Sequence, residues 1–386
     1  MNTIKKLTKI HNSGNPYIIY KSDRGFDLYT NFSEKIFLNK SNINRFLNKK
    51  KNSKKSKSTD LFIGFFGYEL LNNLIGIKLP KQKSFNFPKG IFYKPEKKIS
   101  FPINLKYEDN DKNNFKSKFE LNINRKSYTK IFNKFKKKIK SGETYQIKVC
   151  TKYKTKSKIN PLDFFCRLSQ SNLAPEAFMI RDKNYSIVSC SPENLITKKG
   201  SVITTKPIAG TVKKNKKMNK YKALSYFKKN IKENKEHNMI LDMERNDLSR
   251  ICKVGTVKLL KIKIIEEYKD LFHYVSLIKG IIKKNIKNID IIKAMMPGGS
   301  VIGCPKISTL NLLNRQEKEN RNIYTGSFGY LKFNGDMRFN IIIRSILNFK
   351  NFSEISVASG VVVDSNAKHE FNENYIKAKA LIDLFK

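Results

Sequence analysis

Strand-like and helix-like segments arrive in groups along this chain rather than in strict alternation, and that ordering limits the fold more than any other feature. Pro16-Tyr17-Ile18-Ile19-Tyr20 and Leu61 to Tyr68 (LFIGFFGY) are short apolar runs that read as strands. The second reads as buried, with Gly64 and Gly67 where backbones approach closely. Tyr128 to Lys140 has apolar side chains at helical spacing (Tyr128, Ile131, Phe132, Phe135, Ile139), and Ser141-Gly142 ends it. Thr144 to Thr151 and Tyr185 to Cys190 are strand-like, and Ile231 to Arg250 is a long helix. Gly326 to Phe333, Phe339 to Leu347 and Ile355 to Val363 form a strand series before a closing helix over Glu370 to Phe385. The pattern predicts an α+β fold with an antiparallel sheet. The polar stretch Glu108 to Lys116 reads as a linker or long turn, placing a first region at 1–120 and a second at 125–386.

Composition excludes several classes. The 386 residues are 39% hydrophobic, enough for a large core, and no run of 18 apolar residues suggests a membrane span. Met1-Asn2-Thr3-Ile4-Lys5-Lys6 is not followed by a signal-peptide apolar run, so a cytoplasmic location is the expectation. Cys150, Cys166, Cys190, Cys252 and Cys304 are odd in number and scattered, which argues for small buried thiols over a disulfide framework or zinc site. The formal charge of +46 comes almost entirely from lysine spread end to end, with much asparagine and no tryptophan. That distribution reads as compositional drift. A nucleic-acid partner, which favours charge gathered on one face with arginine and aromatics, is not expected. Runs such as Lys49 to Lys57 read as solvated loop.

Four constellations could carry chemistry. Glu233 and Glu236 lie at i, i+3 on one helix, and Glu370 and Glu373 repeat the spacing on the last. Converging, they would offer hard oxygen ligands to Mg2+, but on spacing alone ordinary exposed glutamates are the better reading. Lys206-Pro207-Ile208-Ala209-Gly210-Thr211 reads as a loop whose backbone N–H groups can approach an anion. Pro297 to Lys306 (PGGSVIGCPK) permits a tight loop before a helix over Ile307 to Asn314, without the GK[ST] ending of a nucleotide-binding loop. Arg344, inside the strand-like apolar run Ile341 to Ser345, either seeks a carboxylate or phosphate or reaches solvent from a sheet edge.

Together and in this order, these pieces resemble the chorismate-utilising enzymes, specifically component I of aminodeoxychorismate and anthranilate synthases. The resemblance rests on SGETYQIKVC (141–150), SPENL (191–195), TTKPIAGT (204–211), KENKEHNMILDMERNDLSRICKVGTV (232–257), HYVS (273–276), MPGGSVIGCPK (296–306), RNIYTGSFGYL (321–331), GDMRFNIIIRS (335–345), ASGVVVDS (358–365) and EFNENYIKAK (370–379). It covers roughly 125–386, and the first region more weakly. It implies a four-layer αββα sandwich of two mainly antiparallel sheets. It also implies Mg2+ held by Glu236 and Glu373 with Glu233 and Glu370 beside them. Arg344 and Tyr324 match residues that hold the enolpyruvyl carboxylate. Gly210 and Thr211 match a substrate-binding loop, and Lys377 a carboxylate-binding lysine. Ala358, followed by Ser359 and Gly360, stands where the family has a glycine that contacts substrate. Glu193 matches a general acid near the departing C4 hydroxyl, a task that needs burial to raise its pKa.

Gln146 stands where the water-adding relatives carry a lysine base. Glutamine cannot deprotonate water, so the implied nucleophile is ammonia, supplied by a separate glutamine amidotransferase subunit (component II). Ala209 and His237 resemble the anthranilate branch. The PGGS…GCPK loop, the ERND stretch and the tail resemble an aminodeoxychorismate subgroup that shares PIAGT and EH. The nearest counterpart of a tryptophan-feedback motif, Ile19-Tyr20-Lys21-Ser22, is a poor match. The resemblance thus favours amination of chorismate to 4-amino-4-deoxychorismate, with anthranilate synthesis as the alternative and a basic RNA- or surface-binding protein as the non-enzymatic one. His273 is expected to be structural, His11 and His369 to be surface groups, and Lys306 to contact substrate or to stabilise its loop.

Overall fold

In the computed structural model, residues 3–49, 57–77, 87–102, 118–157, 159–171, 173–215, 217–268 and 271–385 are described. Their strand pairings are antiparallel and can be followed as one ladder. It runs from Gln146–Thr155 through Phe352–Val361, Ser345–Phe349, Tyr185–Ser191 and Glu176–Arg181 to Tyr17–Ser22. It continues through Gly25–Phe37, Gly90–Phe101, Leu61–Phe66, Ser327–Lys332 and Met337–Asn340. It then passes through Asn194–Lys199 and Val202–Lys206 to Leu271–Ile281, which also pairs with Ile208–Lys213 and Lys258–Glu267. The result is a mixed fold with a large antiparallel sheet, as the grouped pattern predicts. Strands from the first hundred residues sit in the middle of this ladder. Glu108 to Lys116 lies outside the described residues.

Most buried apolar side chains of the described residues fall into three large clusters. One is drawn mainly from strands: Ile18, Tyr20, Ile63, Phe65, Tyr93, Phe178, Ile187 and Phe328 belong to it, and Phe178 stacks on Phe328 with ring centroids 3.7 Å apart. A second packs helices Arg125–Lys140, Ile231–Ile251, Asn288–Met295 and Lys306–Gln316 against sheet residues such as Ile147, Ile196 and Ile278. The third packs helices Thr3–Asn12, Pro161–Ser171 and Ala367–Ile382 against Ile19, Val188 and Ile355. Asparagine starts several of these helices. The side chains of Asn124, Asn230 and Asn366 accept from first-turn N–H groups that no helical carbonyl can reach.

Four segments depart from the sequence reading. The strand at Leu61 ends at Phe66, because the Gly67 N–H donates to Lys89 O at 2.7 Å and turns the chain into helix Tyr68–Leu74. Lys206 to Thr211 is two strands broken at Pro207, not a loop. The apolar run Phe339 to Leu347 is not one strand. It is interrupted between Asn340 and Ser345, and Arg344 adopts φ +49°, a left-handed conformation costly for a side-chain-bearing residue. The closing helix begins at Ala367, three residues early, because Asn366 caps it. The cysteines follow expectation: all five are free, and Cys150, Cys166, Cys190 and Cys252 are buried. Among the described residues, no helix is long and apolar enough to cross a membrane.

Phe178 and Phe328 are both fully buried and join opposite parts of the ladder. Phe178→Ala is therefore expected to cost about 3–5 kcal/mol, read as a lower urea midpoint with an unchanged slope.

Candidate active site

Side chains two apart on a strand share a face, so Gln146 and Lys148 on Gln146–Thr155 point together toward helix Ile231–Ile251. Gln146 Nε2 donates to Glu236 Oε1 at 2.8 Å, and Lys148 Nζ donates to the same oxygen at 2.9 Å. Gly360 lies opposite Lys148 on the neighbouring strand. A Cβ there would come within 2.8 Å of both the Gln146 amide and the Lys148 ammonium, so glycine lets both side-chain ends rest where they are. Burial works against the Glu236 carboxylate, but Lys148 outweighs it and brings the pKa down to about 2. Burial likewise works against the Lys148 ammonium, and Glu236, Glu373 and Glu370 more than compensate, raising its pKa.

These groups form one end of a cavity whose wall includes Lys148, Glu193, Thr211, Glu236, Tyr324, Arg344, Ala358 and Lys377. The break after Asn340 delivers Arg344 into it. Its Nη1 is buried with no hydrogen-bond partner, and burial lowers the guanidinium pKa. A buried cation short of partners is suited to an anionic group entering the cavity. Glu193 faces the same space just after strand Tyr185–Ser191. Its Oε1 accepts from Ser300 Oγ at 2.8 Å, and burial raises the carboxyl pKa to about 7. Such an acid keeps its proton near neutrality and can donate it.

Further along, Lys377 Nζ bonds Glu373 at 2.7 Å and donates to Ala358 O at 2.9 Å. Glu370 is buried and accepts from Ser365 Oγ at 2.9 Å. Ligand atoms of His369, Glu370 and Glu373 lie within 4.8 Å of one another.

Thus eight of the residues singled out in the sequence line the cavity: Glu193, Ala209, Thr211, Tyr324, Arg344, Ala358, Lys377 and Glu236. Gln146 and Gly360 support its edge. Gly210, Ser359, His237, Glu233, Glu370 and Glu373 are not in its wall. Gly210 packs on the Phe227 ring, where a Cβ would sit 2.3 Å from a ring carbon. Ser359 Oγ bonds the Tyr128 hydroxyl at 2.9 Å. His237 is buried behind the helix with Nε2 against Ser276 Oγ at 2.7 Å, and burial holds its pKa near 4, leaving a neutral ring. His273 is structural as expected, bonded through Nδ1 to Thr211 Oγ1 at 2.8 Å. His11 is half-buried and bonds the Tyr17 hydroxyl at 3.0 Å, contrary to its reading as a surface group. Lys306 is committed to Asp247 at 2.5 Å and to Ala294 O at 2.8 Å, so it stabilises its loop. The sequence reading passed over Lys148 and Ser300. Lys148, at the same parity as Gln146 on a strand, was the visible signal.

The chain matches the family of chorismate binding enzymes over residues 10–383 and belongs to that family. Aminodeoxychorismate synthase component 1 of Bacillus subtilis is 34% identical over 255 residues, which cover 66% of this chain and 54% of that protein. An anthranilate synthase component I-like protein of Synechocystis is 37% identical over 258 residues, covering 66% and 53%. The chain thus spans about half the length of these curated relatives. Anthranilate synthase component I from Streptococcus pneumoniae has the same fold, with a TM-score of 0.77 at 24% identity over 95% of this chain and 92% of that one. A 2,3-dihydroxybenzoate-specific isochorismate synthase of Bacillus anthracis also reaches 0.77, at 17% identity over 98% of both chains.

The raised Glu193 pKa has a consequence for stability. From the ordinary value of 4.5 up to about 7 the unfolded chain has lost a proton that the folded chain keeps, so this group's contribution falls as pH rises through that window. Glu193→Gln should flatten that part of the stability profile in urea titrations across the window. The decline owed to the buried Glu69 and Glu244, raised to about 7 and about 8, should remain.

Proposed function

We propose that the chain is component I of an aminodeoxychorismate synthase: it aminates chorismate at C4 with ammonia from a glutamine amidotransferase subunit, giving 4-amino-4-deoxychorismate. The observation that carries this reading is the meeting, in one cavity, of an acid poised near neutrality (Glu193), a buried guanidinium whose Nη1 has no hydrogen-bond partner (Arg344) and a carboxylate (Glu236). Chorismate offers a leaving hydroxyl and two carboxylates to such a site. The fold reading goes with it. One apolar cluster drawn mainly from strands, together with two that pack helices on strands, supports a four-layer αββα sandwich.

In this reading Arg344 and Tyr324 hold the enolpyruvyl carboxylate, and Thr211, Ala358 and Lys377 border the ring. Glu193 gives its proton to the departing C4 hydroxyl. Gln146 offers an amide where a base would be needed to activate water, so ammonia is the nucleophile. Gly210, Ser359 and Gly360 act through backbone fit, and the neutral His237 supports the helix that carries Glu236. The donor set suits Mg2+: Glu236 offers a hard carboxylate oxygen where the Lys148 ammonium rests, Glu373 and Glu370 act on that ammonium electrostatically, and their own ligand atoms lie within 4.8 Å of each other. Glu233 stands one turn before Glu236. Mg2+ bound there would neutralise the charge of the substrate's ring carboxylate.

Anthranilate synthesis is the second reading, favoured by Ala209, which lines the cavity and offers no amine. Incubation of the purified chain with chorismate, Mg2+ and concentrated ammonium, read by mass spectrometry, decides between them. A product that becomes 4-aminobenzoate only on adding aminodeoxychorismate lyase supports the first. Anthranilate with pyruvate transfers the chain to the second, and no turnover refutes both. Glu193→Gln is expected to lower kcat by about 10²–10⁴-fold in either case.

A further inference from the structure

Lys148 is a cavity cation hydrogen-bonded to Glu236, and it shares the acidic ground that the proposed function gives to a metal ion. Its ammonium donates to Glu236 Oε1 at 2.9 Å, and its side chain is only 14% exposed. Glu373 and Glu370 act on it electrostatically as well. The position is built: Gln146 fixes the same carboxylate oxygen from one side, and the bare Cα of Gly360 clears the space that the ammonium fills.

The charge balance follows. Three carboxylates (Glu236, Glu370, Glu373) stand against two ammonium groups (Lys148, Lys377), a formal charge of −1. A divalent ion would turn that to +1. Without Lys148 the same cluster would hold −2, and a divalent ion would neutralise it. The Lys148 ammonium and a metal therefore compete for one oxygen, Glu236 Oε1, and repel each other if both stay.

We propose that Lys148 is a tethered cation that occupies the acidic cluster in the metal-free protein, so that a divalent ion binds only by taking Glu236 away from it. Lys148 is a positioning residue in this role: it holds Glu236 and Gln146 in place before metal arrives and weakens the affinity for the ion. The proposal rests on the metal assignment made under the proposed function.

The test is equilibrium binding of Mg2+ by calorimetry, and of Mn2+ by water-proton relaxation, to the intact chain without chorismate. Lys148→Met should bind both ions more tightly by about fivefold or more, the lower end of couplings between two ligands of one site. Lys148→Arg, which keeps the charge, should stay close to the unsubstituted chain. Lys148→Gln, which keeps a donor for Glu236 without the charge, is the second neutral variant should Lys148→Met fail to fold, and it should also bind more tightly. Equal or weaker binding by the folded neutral variants overturns the proposal and leaves the metal assignment standing. Absence of binding by every chain, with turnover that persists in a chelator, overturns the proposal together with that assignment.

Discussion

Strand Tyr17–Ser22 is paired on both edges, to Gly25–Phe37 and to Glu176–Arg181, and the rest of the ladder depends on that double pairing. It joins the strands of the first hundred residues to those that carry Glu193 and the site's flank. The joint is closed by side chains as well as backbone. Tyr20 donates to Glu176 Oε2 at 2.5 Å, and Arg338 grips Glu176 from strand Met337–Asn340 at 2.6 Å. Glu176 is buried, so the bonds that satisfy it also fix the register, since an unpaired carboxylate there would be costly.

The cavity is assembled from segments distant in the chain, and each arrives by a different device. Strand pleating brings Lys148, helical spacing brings Glu236, and the last helix brings Lys377. A break in the ladder brings Arg344. A regular strand would have kept hydrogen-bonding past Asn340. Instead the Ile341 N–H donates to Glu193 O at 3.1 Å, and Arg344 takes a left-handed backbone. Strain of this kind persists only where the surroundings enforce it. Here its effect is to aim a guanidinium into a cavity beside an acid.

The charged groups divide by what water has left them. Glu236 and Lys148 keep their charges because each has the other. Glu193, bonded to the Ser300 hydroxyl and to the backbone of Ile208, is pushed toward neutrality by burial. Deeper still, Lys306 and Asp247 satisfy each other beneath the site. Proton donation and anion binding are thus separated within one cavity by partnering rather than by residue type.

The sequence by itself determined the class of fold, because strand-like and helix-like runs of the right period are written locally. It also marked most charged cavity residues, since short motifs such as SPENL and GDMRFNIIIRS keep their chemistry in a few adjacent positions. It did not show that Phe339 to Leu347 breaks in the middle, because apolar content alone cannot report a left-handed Arg344. Nor did it show that Gly210 and Ser359 face away from the cavity while their neighbours Thr211 and Ala358 line it. That choice of face is set by register and by packing on Phe227 and Tyr128. Lys148 looked like one more lysine among many. Only the tertiary structure decided that this one is buried against Glu236, because burial and partners are properties of the folded chain.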